Sequence, residues 1–430
     1  MSRRHRAAAM LAALLVFVAP VPAAAMADLA ERYVKLVLAV GVHDADYVDA
    51  YYGPPEWREA AARERRSLAE LDQEAGALLA ELAGRAPAAG ADELEQLRHR
   101  YLTRQVESLR ARLSMLRGER LSFDAESAAL YDAVAPVHTE QEFAAVLAQL
   151  EQRLPGEGAL AERYEAFRGG FEIPKDRLDA VFAAAIEGCR ERTLAHIALP
   201  AGESFTIEYV TGKTWSGYNW YQGDYRSLIQ INTDLPIYID RAIDLACHEG
   251  YPGHHVYNVL LERHLVRERG WQEYSVYPLF SPHSLIAEGT ANYGIEVAFP
   301  DAERRAFERT VLFPAAGLDA SQVELFYEIA ALVEQLSYAG NEAARRYRNG
   351  EIDAEAAARW HTTYTLSSPA RAEQRVRFID QYGAYVINYN LGKDLVARYV
   401  ERRAGDDAER RWREFARLIS SPRLPSGLED

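Results

Sequence analysis

Apolar residues recur along most of the chain at steps of three and four, the rhythm of one-sided helices packed on a core. Leu29, Tyr33, Leu36 and Val40 form one such stripe, and Leu102, Val106, Leu109, Leu113 and Leu116 form another. Glycine- and proline-bearing breaks at 84–90, 155–158 and 172–174 read as loops between helices. Near residue 200 the rhythm changes. Ser204 to Val210 and Ser227 to Asn232 alternate and are rich in β-formers, and Trp215, Tyr218, Trp220, Tyr221 and Tyr225 lie between them. A small antiparallel sheet of two or three strands is predicted over 201–236. Its aromatics either pack on the sheet or wall a substrate cleft. From about Tyr238 the helical pattern returns and continues to the end. The predicted fold is mainly α: a helical region over 28–200, then 201–430 with the small sheet, helices over 238–300 and a helical C-terminal part.

The first 27 residues read as a targeting segment. Arg3, Arg4 and Arg6 precede an apolar run from Ala7 to Val18, and small residues near Ala25 and Ala27 offer cleavage sites. The run is too short to serve as a membrane anchor. The mature protein is therefore expected to be exported, periplasmic or secreted, with no stable membrane anchor. The net charge of −15 would become −18 once those three arginines leave. Such a chain repels phosphate backbones, so nucleic-acid partners are not expected. Two cysteines in 430 residues exclude a cysteine-based metal framework. Export permits a Cys189–Cys247 disulfide, although two buried thiols are the simpler expectation.

The densest chemistry is the run Cys247-His248-Glu249-Gly250-Tyr251-Pro252-Gly253-His254-His255, which follows a helical stretch from Ile239. A His-Glu pair on a helix with another histidine soon after suggests two metal ligands and a general base. The spacing does not fit an unbroken helix. His254 would stand about 9 Å along the axis from His248 and His255 about 10.5 Å, too far to share one zinc ion at about 2.0–2.1 Å per bond. Pro252 and Gly253 supply the breaker and the permissive backbone for a distorted turn that restores the facing geometry. A third ligand is sought in Glu288, which shares a helix face with Asn292 and Glu296. That face is either a ligand with outer-shell partners or an ordinary solvated surface.

These residues resemble a bacterial family known as domain of unknown function 885. Its His-Glu-x-x-Pro-Gly-His-His signature is matched by His248 to His255, and its Glu-Gly-x-x-x-Tyr-x-x-Glu element by Glu288, Gly289, Tyr293 and Glu296. Tyr389 to Lys393 is similar to its Tyr-x-x-Gly element, and Asp49 to Pro54 to a member's N-terminus. The family is itself similar to gluzincin metallopeptidases such as the thimet oligopeptidase and carboxypeptidase Taq groups. The resemblance implies a large zincin-like helical body with His248, His254 and Glu288 holding Zn2+ and Glu249 as general base. Asp380 to Gly383 departs from the Pro-Gly-Gln that many members carry, and Tyr338 to Asn341 from their Asp-Thr-Gly.

The remaining roles follow from that frame. Tyr385 and Tyr389 share a helix face; Tyr389 matches the family element and is the expected oxyanion donor, with Tyr385 beside it against substrate. Arg375 and Arg377 would either fork a substrate carboxylate or form surface ion pairs, with Arg377 counted among the substrate-binding candidates. His283 is a candidate for lining the cleft. The backbone around Ile229 and Ile231 is a candidate for pairing with an extended peptide, or else a buttress for the metal helix. His255 stands as a reserve ligand, and Asp244 as a candidate to orient His248. The leading expectation is an exported zinc metallopeptidase acting on short peptides. The alternatives are a zinc amidase or esterase on a small non-peptide substrate, and a non-catalytic zincin-shaped binding protein.

Overall fold

The computed structural model describes residues 23–88 and 90–429, so the signal peptide read over 1–27 lies outside the described residues as far as residue 22. The first stripe falls on the helix Ala23–Gly41, where Leu29, Tyr33, Leu36 and Val40 are all fully buried. The second falls on Glu93–Leu116, whose first turn is capped by the Asp92 carboxylate accepting from the Leu94 N–H at 3.2 Å. Leu102, Val106, Leu109 and Leu113 of that helix have no solvent exposure. Stripes three and four apart put their apolar side chains on one face, and burying that face is what holds these helices.

One hydrophobic core runs from Met26 to Leu428 and crosses position 200 without interruption. A smaller cluster gathers around Phe143, Leu150, Ile329 and Trp360. The protein is thus mainly α, with a small sheet beside the helix that carries His248. Among the described residues, no helix is long and apolar enough to cross a membrane.

Among the described residues, five short strands complete the architecture: β1 (Val48–Tyr51), β2 (Ser204–Val210), β3 (Gly217–Gly223), β4 (Arg226–Asn232) and β5 (Val276–Pro278). β1 pairs antiparallel with β5. The other three form a sheet in the order β2-β4-β3. β3 and β4 make a hairpin whose two turn residues, Asp224 and Tyr225, have φ of 52° and 59°, as the tight primed turns require. β2 takes the opposite side of β4 and runs parallel to it. The predicted antiparallel sheet is therefore mixed, because alternation marks a strand without fixing the sense of its partner.

The cysteines are not free thiols. Cys189, on the helix Leu178–Leu194, is bonded to Cys247 across a Cα–Cα distance of 5.5 Å. The bridge ties the segment just before His248 to a helix 58 residues earlier.

Candidate metal centre

His248 and Glu249 sit on a single wide π-turn, Ala246–Gly250, that continues the helix Asp240–Leu245. Such turns are rare and cluster at functional sites. The helix stops at Tyr251, the Tyr251–Pro252 peptide is cis, and a new helix begins at His254 (His254–Leu261). Gly253 makes the break possible. A Cβ there would lie 2.5 Å from the Cys247 carbonyl oxygen, which instead accepts the Gly253 N–H at 2.9 Å. The six-residue spacing is thus resolved by a wide turn and a full break. The chain swings back so that the two rings stand 4.7 Å apart at 84°, with Nε2 atoms separated by 3.1 Å.

Glu288 arrives on the helix Pro282–Ala298, which packs backbone to backbone against Ile387–Ala404. Two glycines set that approach. A Cβ on Gly289 would lie 2.5 Å from the carbonyl carbon of Gly392, and one on Gly392 would lie 2.8 Å from the Leu285 oxygen. The closeness brings Tyr385, just before the second helix, to donate its hydroxyl to Glu288 Oε1 at 2.7 Å. Asn292, one turn beyond Glu288, has its Oδ1 3.1 Å from His248 Nδ1 and donates from Nδ2 to the Tyr389 carbonyl at 3.2 Å.

The outcome is a triangle of donor atoms. His248 Nε2 and His254 Nε2 are 3.1 Å apart, and Glu288 Oε2 lies 3.3 and 3.7 Å from them. Tetrahedral zinc with bonds of about 2.0–2.1 Å holds its ligand atoms about 3.3 Å apart. Glu288 Oε2 is buried without a hydrogen-bond partner, the condition of an oxygen shaped to meet a cation. Both histidines and the carboxylate therefore fit a zinc ion. Glu249 also offers an oxygen within 4.8 Å of both imidazoles. Glu288 is the better ligand, because its oxygen is nearer and its other oxygen is pinned by Tyr385. Glu249 Oε2 is buried and unpartnered.

Burial raises the proton affinity of Glu249; His248 and His254 pull it back down and Glu288 adds to the rise. Burial would lower the His254 pKa, yet the adjoining Glu288 carboxylate, followed by the charges of Glu249 and Asp49, lifts it to about 9. Burial would raise Glu288, but the two imidazoles facing its Oε2 hold its carboxyl well below the usual range. Asp49, on β1, was quoted in the sequence only as part of an N-terminal element. It has no partner among the described residues, and burial, only partly opposed by His254, raises it to about 7, with Glu288 and Glu249 adding to the rise. No local pattern identifies it, since it reaches the site through the pairing of β1 with β5.

Several expected site residues lie elsewhere. Glu296 is half exposed and pairs with Lys393 at 2.7 Å, because one further turn carries it out of the cleft. Arg377 is exposed, with only Glu373 at 3.9 Å beside it, on the outer face of its helix. His283 is a core residue: its Nδ1 meets the Tyr101 hydroxyl at 2.7 Å, its ring stacks on Tyr277, and burial, followed by the charge of His254, drives its pKa to about 3. Tyr385 serves Glu288 instead of facing substrate. Ile229 and Ile231 are buried on β4, whose backbone is engaged by β2 on one side and β3 on the other, so no peptide can pair with it. The strand at the site is β3. A Cβ on its Gly217 would lie 2.9 Å from Glu249 Oε1, and Asn219 donates to the Glu249 carbonyl at 2.7 Å.

His255 is no reserve ligand, since its nitrogens meet Ser227 at 2.9 Å and Glu203 at 3.0 Å. Asp244 pairs with Arg304 and Arg241 and leaves His248 to Asn292. Trp215, Tyr218 and Trp220 pack in series as tilted rings, with Trp220 exposed on the side of β3 opposite Asn219. They are therefore not a wall beside Glu249. Tyr389 stands near the donor triangle. Its hydroxyl has no partner among the described residues and lies in the field of Glu288, Arg375 and Glu249.

The chain matches no family model and no curated protein. Among solved structures it is similar to a Colwellia psychrerythraea protein provisionally named a lipoprotein, at 13% identity and a TM-score of 0.50, over 84% of this chain and 68% of that one. It is also similar to a carboxypeptidase from Pyrococcus furiosus, at 13% identity and a TM-score of 0.48, over 94% and 93% of the two chains. A third is an M32 carboxypeptidase from Deinococcus radiodurans R1, at 14% identity and a TM-score of 0.37, over 92% and 88%. The first likeness concerns the fold alone, and the two fainter ones add nothing to it.

Proposed function

We propose that the protein is an exported zinc metallopeptidase of the gluzincin type, akin to the domain-of-unknown-function 885 family, that hydrolyses short peptides. The observation that carries this reading is the donor triangle of His248, His254 and Glu288 with the free carboxylate of Glu249 beside it. Two imidazoles and one carboxylate suit zinc and leave a position open for chemistry.

Zinc, when bound, supplies Lewis acidity and makes an attacking water easier to deprotonate. Glu249 takes that proton on Oε2, the oxygen no protein group engages, and returns it to the leaving amine. Its burial raises its basicity toward the value such a shuttle needs. Tyr389 donates its unengaged hydroxyl to the developing oxyanion. Tyr385 and Asn292 do not touch substrate; they hold Glu288 and His248 in the orientation that a metal demands.

The test is elemental analysis of the purified mature protein beside His248→Ala and Glu249→Gln, followed by a peptide-library assay with and without chelator. About one zinc per chain is expected in the wild type and in Glu249→Gln, and none in His248→Ala. Peptide turnover is expected in the wild type only. Zinc without peptide turnover, but with cleavage of small amides or esters, would move the reading to a zinc amidase or esterase. No bound or restorable zinc in any form would defeat it.

A further inference from the structure

Beside the metal centre lies a second concave site, a small open cavity of ≈ 40 Å³. Arg168, Arg241 and Arg371 line it, together with Ser216, Asn232 and Leu245. Arg375 stands one turn beyond Arg371 on the helix Pro369–Tyr382. The four guanidinium groups are short of acids. Arg168 has Asp240 at 3.7 Å, and Arg241 has Asp244 at 3.1 Å, the latter shared with Arg304. Arg371 and Arg375 have no acidic or hydrogen-bonding partner among the described residues. The chain carries 64 acids against 49 lysines and arginines, so the shortage is local. Like charges four apart on a helix repel each other.

Arg375 exposes much of its side chain to water, yet protein surrounds it on most sides, as expected on the wall of a cleft. Burial comes first in pushing the Arg371 pKa down to about 10, and the charges of Arg375, Arg168 and Arg241 add to it.

The cavity adjoins the proposed general base. Leu245, on its wall, and Glu249 both press on Gly217, where a Cβ would lie 2.8 Å from the first and 2.9 Å from the second. Arg241 precedes Glu249 on one helical run by about 12 Å of axial rise. An extended peptide spans about 3.3–3.6 Å per residue, so a group held here lies about three to four residues from the scissile bond.

We propose that this arginine-lined cavity is a carboxylate subsite, which takes an anionic end or side chain of a short peptide whose scissile bond lies at Glu249. The inference rests on the peptidase reading and names its substrate class: peptides carrying a carboxylate close to the bond that is cut. The carboxylate comes either from the chain terminus or from an acidic side chain. A planar guanidinium fork suits either one.

The experiment uses the zinc-loaded mature chain and its Arg371→Gln and Arg371→Lys variants, each checked for unchanged zinc content. Three tetrapeptide sets are compared by steady-state kinetics: free C-terminus, C-terminal amide, and amide with one glutamate at each position. Succinate binding is measured separately by calorimetry. We expect wild-type KM to be at least about tenfold lower for the free acids than for the amides. The gap should shrink in Arg371→Gln and return only in part in Arg371→Lys, which keeps the charge but not the fork, and succinate should bind the wild type but not Arg371→Gln. A gap confined to the glutamate-bearing amides assigns the site to an acidic side chain. Equal KM values across all sets, with no succinate binding, would overturn the subsite and leave the peptidase standing. Arg371-dependent succinate binding without any peptide cleavage would overturn the peptidase reading and leave the subsite.

Discussion

The contact between Gly289 and Gly392 makes a missing methyl group a condition of the proposed zinc site, and Gly289→Ala tests it. The added carbon would lie 2.5 Å from the Gly392 carbonyl carbon and 2.9 Å from its Cα. Non-bonded carbons rest at about 3.5–4.0 Å, so the helices Pro282–Ala298 and Ile387–Ala404 must part by about 1 Å there. Both neighbours are backbone, so no rotamer can relieve the clash. Overpacking of this kind costs about 1–3 kcal/mol of stability. The larger effect should fall on the metal. Glu288 is the adjacent residue, it is held by Tyr385 at 2.7 Å, and zinc tolerates ligand displacements of only about 0.2 Å. We expect zinc affinity to fall about 10- to 100-fold, measured by competition with a chromophoric chelator. Gly76→Ala is the internal control. It lies inside the helix Leu68–Ala83, its nearest neighbour would be Arg110 Cζ at 3.8 Å, and it should gain about 0.5–1 kcal/mol. Wild-type zinc affinity together with an unchanged melting temperature in Gly289→Ala would refute the claim that this backbone contact positions Glu288.

The two tyrosines should separate by function. Tyr385→Phe is expected to weaken zinc binding about 10- to 100-fold. Tyr389→Phe should retain zinc while kcat falls about 100- to 1,000-fold; equal behaviour of the two variants would contradict the assignment. The Cys189–Cys247 bridge closes a loop that, on chain-entropy grounds, contributes about 4 kcal/mol. Urea unfolding with and without reductant checks this, and coincident midpoints would show that the bond contributes nothing. In the metal-free protein the pKa of His254 is raised to about 9 from 6.5. Its contribution to stability is therefore full below pH 6.5 and lost as pH rises through 9. Zinc must displace that proton at pH 7, so calorimetry in buffers of different ionisation enthalpy should show about one proton released per zinc.

Much of this was legible before any coordinates. The stripes at 29–40 and 102–113 became buried helix faces, because a period near 3.6 has one structural reading. His248, His254 and Glu288 converge as the motifs implied, and Asn292 reaches His248 from one turn beyond Glu288. The manner of convergence was not legible. The expected bulge is a π-turn followed by a complete break, and nothing in residue types says how far a proline will interrupt a helix. Helical spacing shows which residues share a face but not what the face meets, which is why Glu296, expected behind the Glu288 ligand, pairs with Lys393, and Arg377, expected at the substrate, stands exposed beside Glu373. β1 and β5 are four and three residues long, too short to display a period. The contribution of Asp49 followed them out of sight. His283 shows that proximity in sequence to a ligand says little about exposure, because the first turn of its helix is sealed under Tyr101, Tyr257 and Tyr277.

The pairing of β1 with β5 also imposes a schedule on the growing chain. The Tyr52 hydroxyl, next to β1, donates to the carbonyl of Tyr274, 222 residues further on. At a synthesis rate of about 5–20 residues per second, the first strand emerges roughly 10–45 s before its partner exists. Throughout that interval it presents an unpaired edge, the kind of surface on which chains associate wrongly. Asp49 can therefore take its place beside the cleft only after β5 has been made, and Tyr385, which holds Glu288, is made later still.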